Sequence, residues 1–137
     1  VMSFPIVRMR RLRKSPLLRN LVAETHLQLD QLIYPLFITE QPHIRIPVPS
    51  MPGIDQISLE YLVSEVEKAT TLGIRAVLLF GVPEGKDQES TSAWATEGIV
   101  QRATRLLKQE FGKELVVITD TCLCEYMTHG HCGIVMD

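Results

Sequence analysis

The chain has 137 residues, 45% of them hydrophobic and 22% charged, with a net charge of −2. That length suits one domain with a real core, the balance excludes a disordered or fibrous chain, and the charge excludes polyanion binding by the chain as a whole. No apolar run approaches the ~20 residues of a membrane helix, and after Val7 the N-terminus turns basic without an apolar signal core, so a cytoplasmic, reducing setting is expected.

Six of the fourteen basic residues, Arg8, Arg10, Arg11, Arg13, Lys14 and Arg19, fall in the first twenty positions. A basic arm can touch nucleic acid, but no stacking aromatics are interleaved with these charges. The preferred reading is a solvated or subunit-contacting arm, with no nucleic-acid partner. Ser15-Pro16 then has the form of an N-cap followed by proline at the first helical position. Leu17, Leu18, Leu21 and Val22 give the short helix that follows one apolar face.

LIYPLFIT, Leu32 to Thr39, reads as a strand buried on both faces, with Pro35 at odds with that role. Pro42, Pro47, Pro49 and Pro52, followed by Gly53, predict an irregular connection with short extended pieces. Ser58 is placed to cap the next helix, whose Leu59, Leu62, Val63, Val66 and Ala69 keep helical spacing until a stop at Gly73. RAVLLFGV, Arg75 to Val82, is a second buried strand, and the polar loop PEGKDQESTSAWATEG follows it. A second long helix carries Ile99, Ala103, Leu106 and Leu107 on one face and ends near Gly112; ELVVITD, Glu114 to Asp120, is the third strand.

This alternation predicts an α/β fold with a parallel sheet and right-handed crossovers, in which chemistry sits at the carboxyl ends of the strands. Three such strands leave two unpaired edges and cannot close a barrel, so the chain reads as the front part of a larger α/β protein.

The segment TDTCLCEYMTHGHCG begins where the third strand ends. It holds all three cysteines, Cys122, Cys124 and Cys132, and two of the four histidines, His129 and His131. Gly130 and Gly133 give the backbone freedom to fold the third sulfur onto the first two. Three thiolates favour a soft or borderline metal, zinc above all, and three protein ligands leave a position open for water or substrate. Either histidine could instead close a structural Cys₃His site. Ordinary reduced cysteines and a disulfide switch are the alternatives, the latter disfavoured because C-x-C thiols pair poorly with each other. The histidines can also simply hold the loop by hydrogen bonds, which for His129 is the preferred reading. Asp120 can orient a ligand or a substrate amine, or cap the loop.

DTCLCEYMTHGHCG resembles the zinc segment D-x-C-x-C-x-Y-T-S-H-G-H-C-G of the porphobilinogen synthase (5-aminolevulinate dehydratase) family. RRLRKSPLLRNLVAET, LIYPLFI, SMPGI, LGIRAVLLFGVP and GIVQRA resemble the same family in the same order. The resemblance implies the N-terminal portion of a (β/α)₈ TIM barrel, about three βα strands. It divides the chain into a basic arm with a short helix over residues 1–30 and the first part of the barrel over 31–137, truncated after the zinc loop. It implies condensation of two 5-aminolevulinate molecules into porphobilinogen with loss of water, and a homo-octamer or hexamer joined through the arm. Carried over by position, Cys122, Cys124 and Cys132 hold the catalytic zinc, Asp120 stands beside it, and His131 matches a ligand of a second, non-catalytic zinc. The family's Schiff-base lysines and its usual Mg²⁺ site belong to later strands. None of Lys14, Lys68, Lys86, Lys108 and Lys113 matches either Schiff-base position, so the chain alone is expected to be inactive; the rival expectation is a non-catalytic zinc-binding or assembly fragment. Met127 and Thr128 stand where the family has threonine and serine, and Ser90-Thr91 where it commonly has Gly-Ser.

Overall fold

The computed structural model describes residues 10–134. The expectations placed on residues 1–9, Arg8 and the start of the arm among them, and on 135–137 fall outside it. Helix α1 spans Pro16–Leu21. Ser15 is extended ahead of it and its hydroxyl accepts the Leu18 N–H at 3.2 Å, with Pro16 at the first helical position, as the Ser-Pro pair predicts. The apolar face of this helix finds no cover among the described residues: Leu17 is 81% and Leu21 80% exposed.

Strands β1 (Ile33–Thr39), β4 (Ala76–Val82) and β5 (Val116–Thr119) are the three strands expected, and they are parallel. Helices α2 (Leu59–Thr71) and α4 (Ile99–Phe111) match the two periodic segments. Alternate strand residues, Leu36 and Ile38 from β1 with Val77 and Leu79 from β4, bury against Leu62 and Val66 of α2 and Ala103 and Leu107 of α4. Each large side chain so buried contributes about 1.5–3 kcal/mol. Across the sheet, Phe37 stacks on Phe80 with ring centroids 5.0 Å apart.

The proline-rich connection departs from the expectation. It contains two strands, β2 (Arg45–Pro47) and β3 (Asp55–Ser58), giving a five-stranded sheet ordered β2-β3-β1-β4-β5. Strand β3 runs parallel to β1 and β2 antiparallel to β3, so the β1 edge expected to be unpaired is covered. This also accounts for Pro35. The Glu40 N–H donates to Val82 on β4, and donors alternate sides along a strand, so odd-numbered positions face β3. Pairing with β3 begins only at Phe37, and the missing N–H of Pro35 costs no ladder bond.

Ser58 precedes α2 but does not cap it. Its buried hydroxyl donates to the Gln41 carbonyl and accepts the Ile44 N–H, each at 2.6 Å. On the outer flank, Arg45 bonds Asp55 at 2.9 Å and Glu65 at 3.1 Å, while the Tyr34 hydroxyl donates to Glu65 at 3.1 Å. These bonds join β1, β2, β3 and α2. Burial opposes the Glu65 charge, but donors from Lys68, Arg45 and Tyr34 outweigh it and hold Glu65 below the ordinary carboxylate range. No helix among the described residues is long and apolar enough to cross a membrane.

Candidate metal centre

The site begins at the carboxyl end of β5. The Asp120 N–H donates to the Leu79 carbonyl at 3.2 Å, prolonging the β4–β5 ladder by one bond before the chain leaves the sheet. The loop then folds back so that Cys132 Sγ lies 3.3 Å from Cys122 Sγ and 3.2 Å from Cys124 Sγ. All three sulfurs fall within 4.8 Å of one another, the one such group among the described residues. Gly130 (φ 73°) and Gly133 (φ 95°) adopt the left-handed backbone of the fold-back.

The thiols share hydrogen bonds rather than covalent bonds. Bonds to Cys132 and Cys122 push the Cys124 thiol up to about 12. Bonds from Cys124 and from the Leu123 N–H hold Cys132 below the usual thiol value. A tetrahedral zinc with Zn–S of about 2.3 Å spaces its sulfurs about 3.8 Å apart. The two distances from Cys132 are about half an ångström shorter than that, and the third lies within 4.8 Å, so these residues fit a zinc ion after a small opening of the loop.

The loop is pinned by two buried side chains, Tyr126 (7% exposed) and Met127 (1%). Tyr126 lays its hydroxyl beside Gly81 of β4, where a β-carbon would also collide with Val100 and Ile99. Burial, then the charges of Glu125, Asp120 and Glu40, push its phenol up to about 12. Met127 packs against the Ser90 hydroxyl. The main chain adds a short parallel bridge: the Asp87 N–H donates to the Tyr126 carbonyl at 3.2 Å and the Thr128 N–H to the Asp87 carbonyl at 3.1 Å. The Asp87 carboxylate accepts the Thr91 and Glu89 N–H groups ahead of helix α3 (Thr91–Trp94). The Thr91 bonds foremost hold that carboxyl below its ordinary range.

Asp120 is exposed, two positions before Cys122, and both line a groove of ≈ 540 Å³ between α4 and the cysteine loop. His129 and His131 stay outside the thiol trio. Their rings stack with centroids 6.2 Å apart, and the His131 N–H donates to His129 Nδ1 at 3.3 Å. Spacing alone finds the cysteines but misses Tyr126, Asp87 and Gly81. The one available signal was a glycine inside a buried-type strand, which marks close approach by another group.

Over most of its length the chain is similar to known proteins. The sequence profile of the delta-aminolevulinic acid dehydratase family matches residues 6–137. The family's protein from Staphylococcus epidermidis is 50% identical over 130 residues, covering 95% of this chain and 40% of that one. Its counterpart in Methanothermus sociabilis is 49% identical, covering 98% and 41%. The crystal structure of the Toxoplasma gondii ME49 enzyme, in complex with the reaction product porphobilinogen, superposes with a TM-score of 0.86 at 35% identity over 96% of this chain and 37% of that one. The five-stranded sheet thus matches the first part of a barrel that stays open here, and the chain spans about 40% of the curated relatives it matches. The chain belongs to the delta-aminolevulinic acid dehydratase, or porphobilinogen synthase, family.

Proposed function

We propose that this chain supplies the metal loop of a zinc-dependent porphobilinogen synthase, which condenses two 5-aminolevulinate molecules into porphobilinogen with loss of water. The observation that carries the reading is the convergence of Cys122, Cys124 and Cys132 at the carboxyl end of β5 in a chain of this family. Those three thiolates hold the ion and leave one position open. Zinc bound there supplies Lewis-acid polarisation of a substrate carbonyl. Asp120, exposed beside Cys122, orients the substrate amine. His131 is the candidate ligand of a second, non-catalytic zinc.

All five lysines are exposed, whereas a Schiff-base lysine works from a desolvated pocket. Residues 10–134 therefore serve the metal end of the reaction and not its Schiff-base chemistry, and any Mg²⁺ site lies elsewhere in the whole protein. The arm of residues 1–30 is the assembly element and 31–137 the barrel portion. Leu17 and Leu21, at 81% and 80% exposure, suit burial against another subunit of an octamer or hexamer. The same leucines favour the second reading, a non-catalytic zinc-binding assembly fragment. A cytoplasmic setting keeps the three thiols reduced.

The test is porphobilinogen formation from 5-aminolevulinate by the purified 137-residue chain, with zinc assayed on the same sample. Retained zinc without product is the expected result. Failure to retain zinc overturns the metal reading, and product formation overturns the assignment of the Schiff-base chemistry to other residues.

A further inference from the structure

Two positions at which this chain departs from the family pattern, Ser90 and Met127, are 37 residues apart in sequence and in contact in space. Both are buried, each 1% exposed. Ser90 is one of two non-glycine residues with positive φ among those described (φ 53°), a backbone region that disfavours a β-carbon. What the serine adds over a glycine is a hydroxyl, and that hydroxyl points at the Met127 thioether, a weak but real acceptor. Met127 stands between Cys124 and Cys132, and with Tyr126 it is one of two buried side chains in the loop from Cys122 to Ile134. The main-chain bridge through Asp87 grips the residues on either side of it, Tyr126 and Thr128.

We propose that Ser90 is a positioning residue for the metal loop, acting through Met127: the hydroxyl–thioether contact holds the span from Cys124 to Cys132 in the fold-back that brings the sulfurs together. The inference rests on the cysteines binding a metal. Supporting groups of this kind change metal affinity by about 10-fold to 100-fold when removed. Ser90 sets the loop's path and touches no ligand, so the lower end applies.

The experiment titrates Co²⁺ into the reduced 137-residue chain, reads the thiolate-to-cobalt charge-transfer band, and obtains affinity by chelator competition. Ser90→Ala keeps the β-carbon and removes the hydroxyl. It is expected to bind Co²⁺ about 10-fold more weakly, with a shifted band, while the melting temperature of the metal-free chain stays unchanged. Met127→Leu keeps the volume, removes the acceptor and is expected to lose the same factor, and adding Ser90→Ala to it costs nothing more. Should Ser90→Ala fail to fold, Met127→Leu alone decides: wild-type affinity in that variant overturns the proposal. Equal affinity and an identical band in Ser90→Ala overturn it too, as does a Ser90→Ala loss that persists in full beside Met127→Leu. If the wild-type chain shows no charge-transfer band at all, the metal reading itself falls, an outcome distinct from the others.

Discussion

The Tyr126 hydroxyl occupies the space that a β-carbon on Gly81 would need. A strand position is thereby tied to the cysteine loop through the absence of one methyl group. Gly81→Ala is expected to expel Tyr126 and shift the loop, destabilising the chain by about 1–3 kcal/mol, the usual cost of overpacking. Co²⁺ affinity falls with it. Tyr126→Phe in the same background should recover part of both losses, because Val100 and Ile99 still crowd the new methyl group. Urea unfolding and Co²⁺ titration of the wild-type chain and the two variants check this; a fully wild-type Gly81→Ala would sink the wedge.

Replacing any one cysteine leaves two sulfurs where three converge. For Cys132→Ser, which bonds to both other thiols, zinc content is expected to fall from about one per chain to near zero after dialysis. Zinc should raise the melting temperature of the wild-type chain, since a ligand held only by the folded state at 100 times its Kd adds about 2.7 kcal/mol. It should leave Cys132→Ser unmoved. Equal zinc-dependent shifts in both proteins would show that the ion binds elsewhere.

The outer flank carries its own pH dependence. Glu65 is held below its ordinary value by Lys68, Arg45 and Tyr34 against the opposing effect of burial. A folded-state value below the unfolded one adds stability that is present above the unfolded value of about 4.5 and is lost as pH falls through the folded value. Acid titration of stability from pH 6 to pH 3 should therefore show a slope that Glu65→Gln flattens. An unchanged slope would assign the acid sensitivity to other carboxylates.

Ser15→Ala removes the cap of α1, at a cost of about 1 kcal/mol to that helix. No residue of α1 is buried, so the loss should stay local. Faster amide exchange over residues 17–21 with an unaltered melting temperature is expected, and a lower melting temperature would mean that the helix contributes to the core.

Periodicity and run length made much of this fold legible. Leu62, Val66 and Ala69 mark α2 by helical spacing, and RAVLLFGV marks β4 by a continuous apolar run. Strand β3 escaped because DQIS is four residues long, lies just beyond Pro52-Gly53 and has no β-branched run; its pairing with β1 is a tertiary effect. Ser58 shows the same limit in reverse. Its position before α2 was right, but the hydroxyl goes to Gln41 and Ile44 across the β2 loop, partners no local pattern reveals. In the candidate metal centre the three thiols were readable from spacing and composition. What holds them together was not, because Gly81–Tyr126 and Ser90–Met127 join residues 45 and 37 positions apart.

The sheet's two borders differ. The β2 border is three exposed residues ending in Pro47, which offers no donor there and blunts recruitment of another strand. The β5 border has no partner strand among the described residues, and its Val116 is 57% exposed. Strand addition at the β2 border is therefore disfavoured by that border's own sequence, whatever covers β5 in the whole protein.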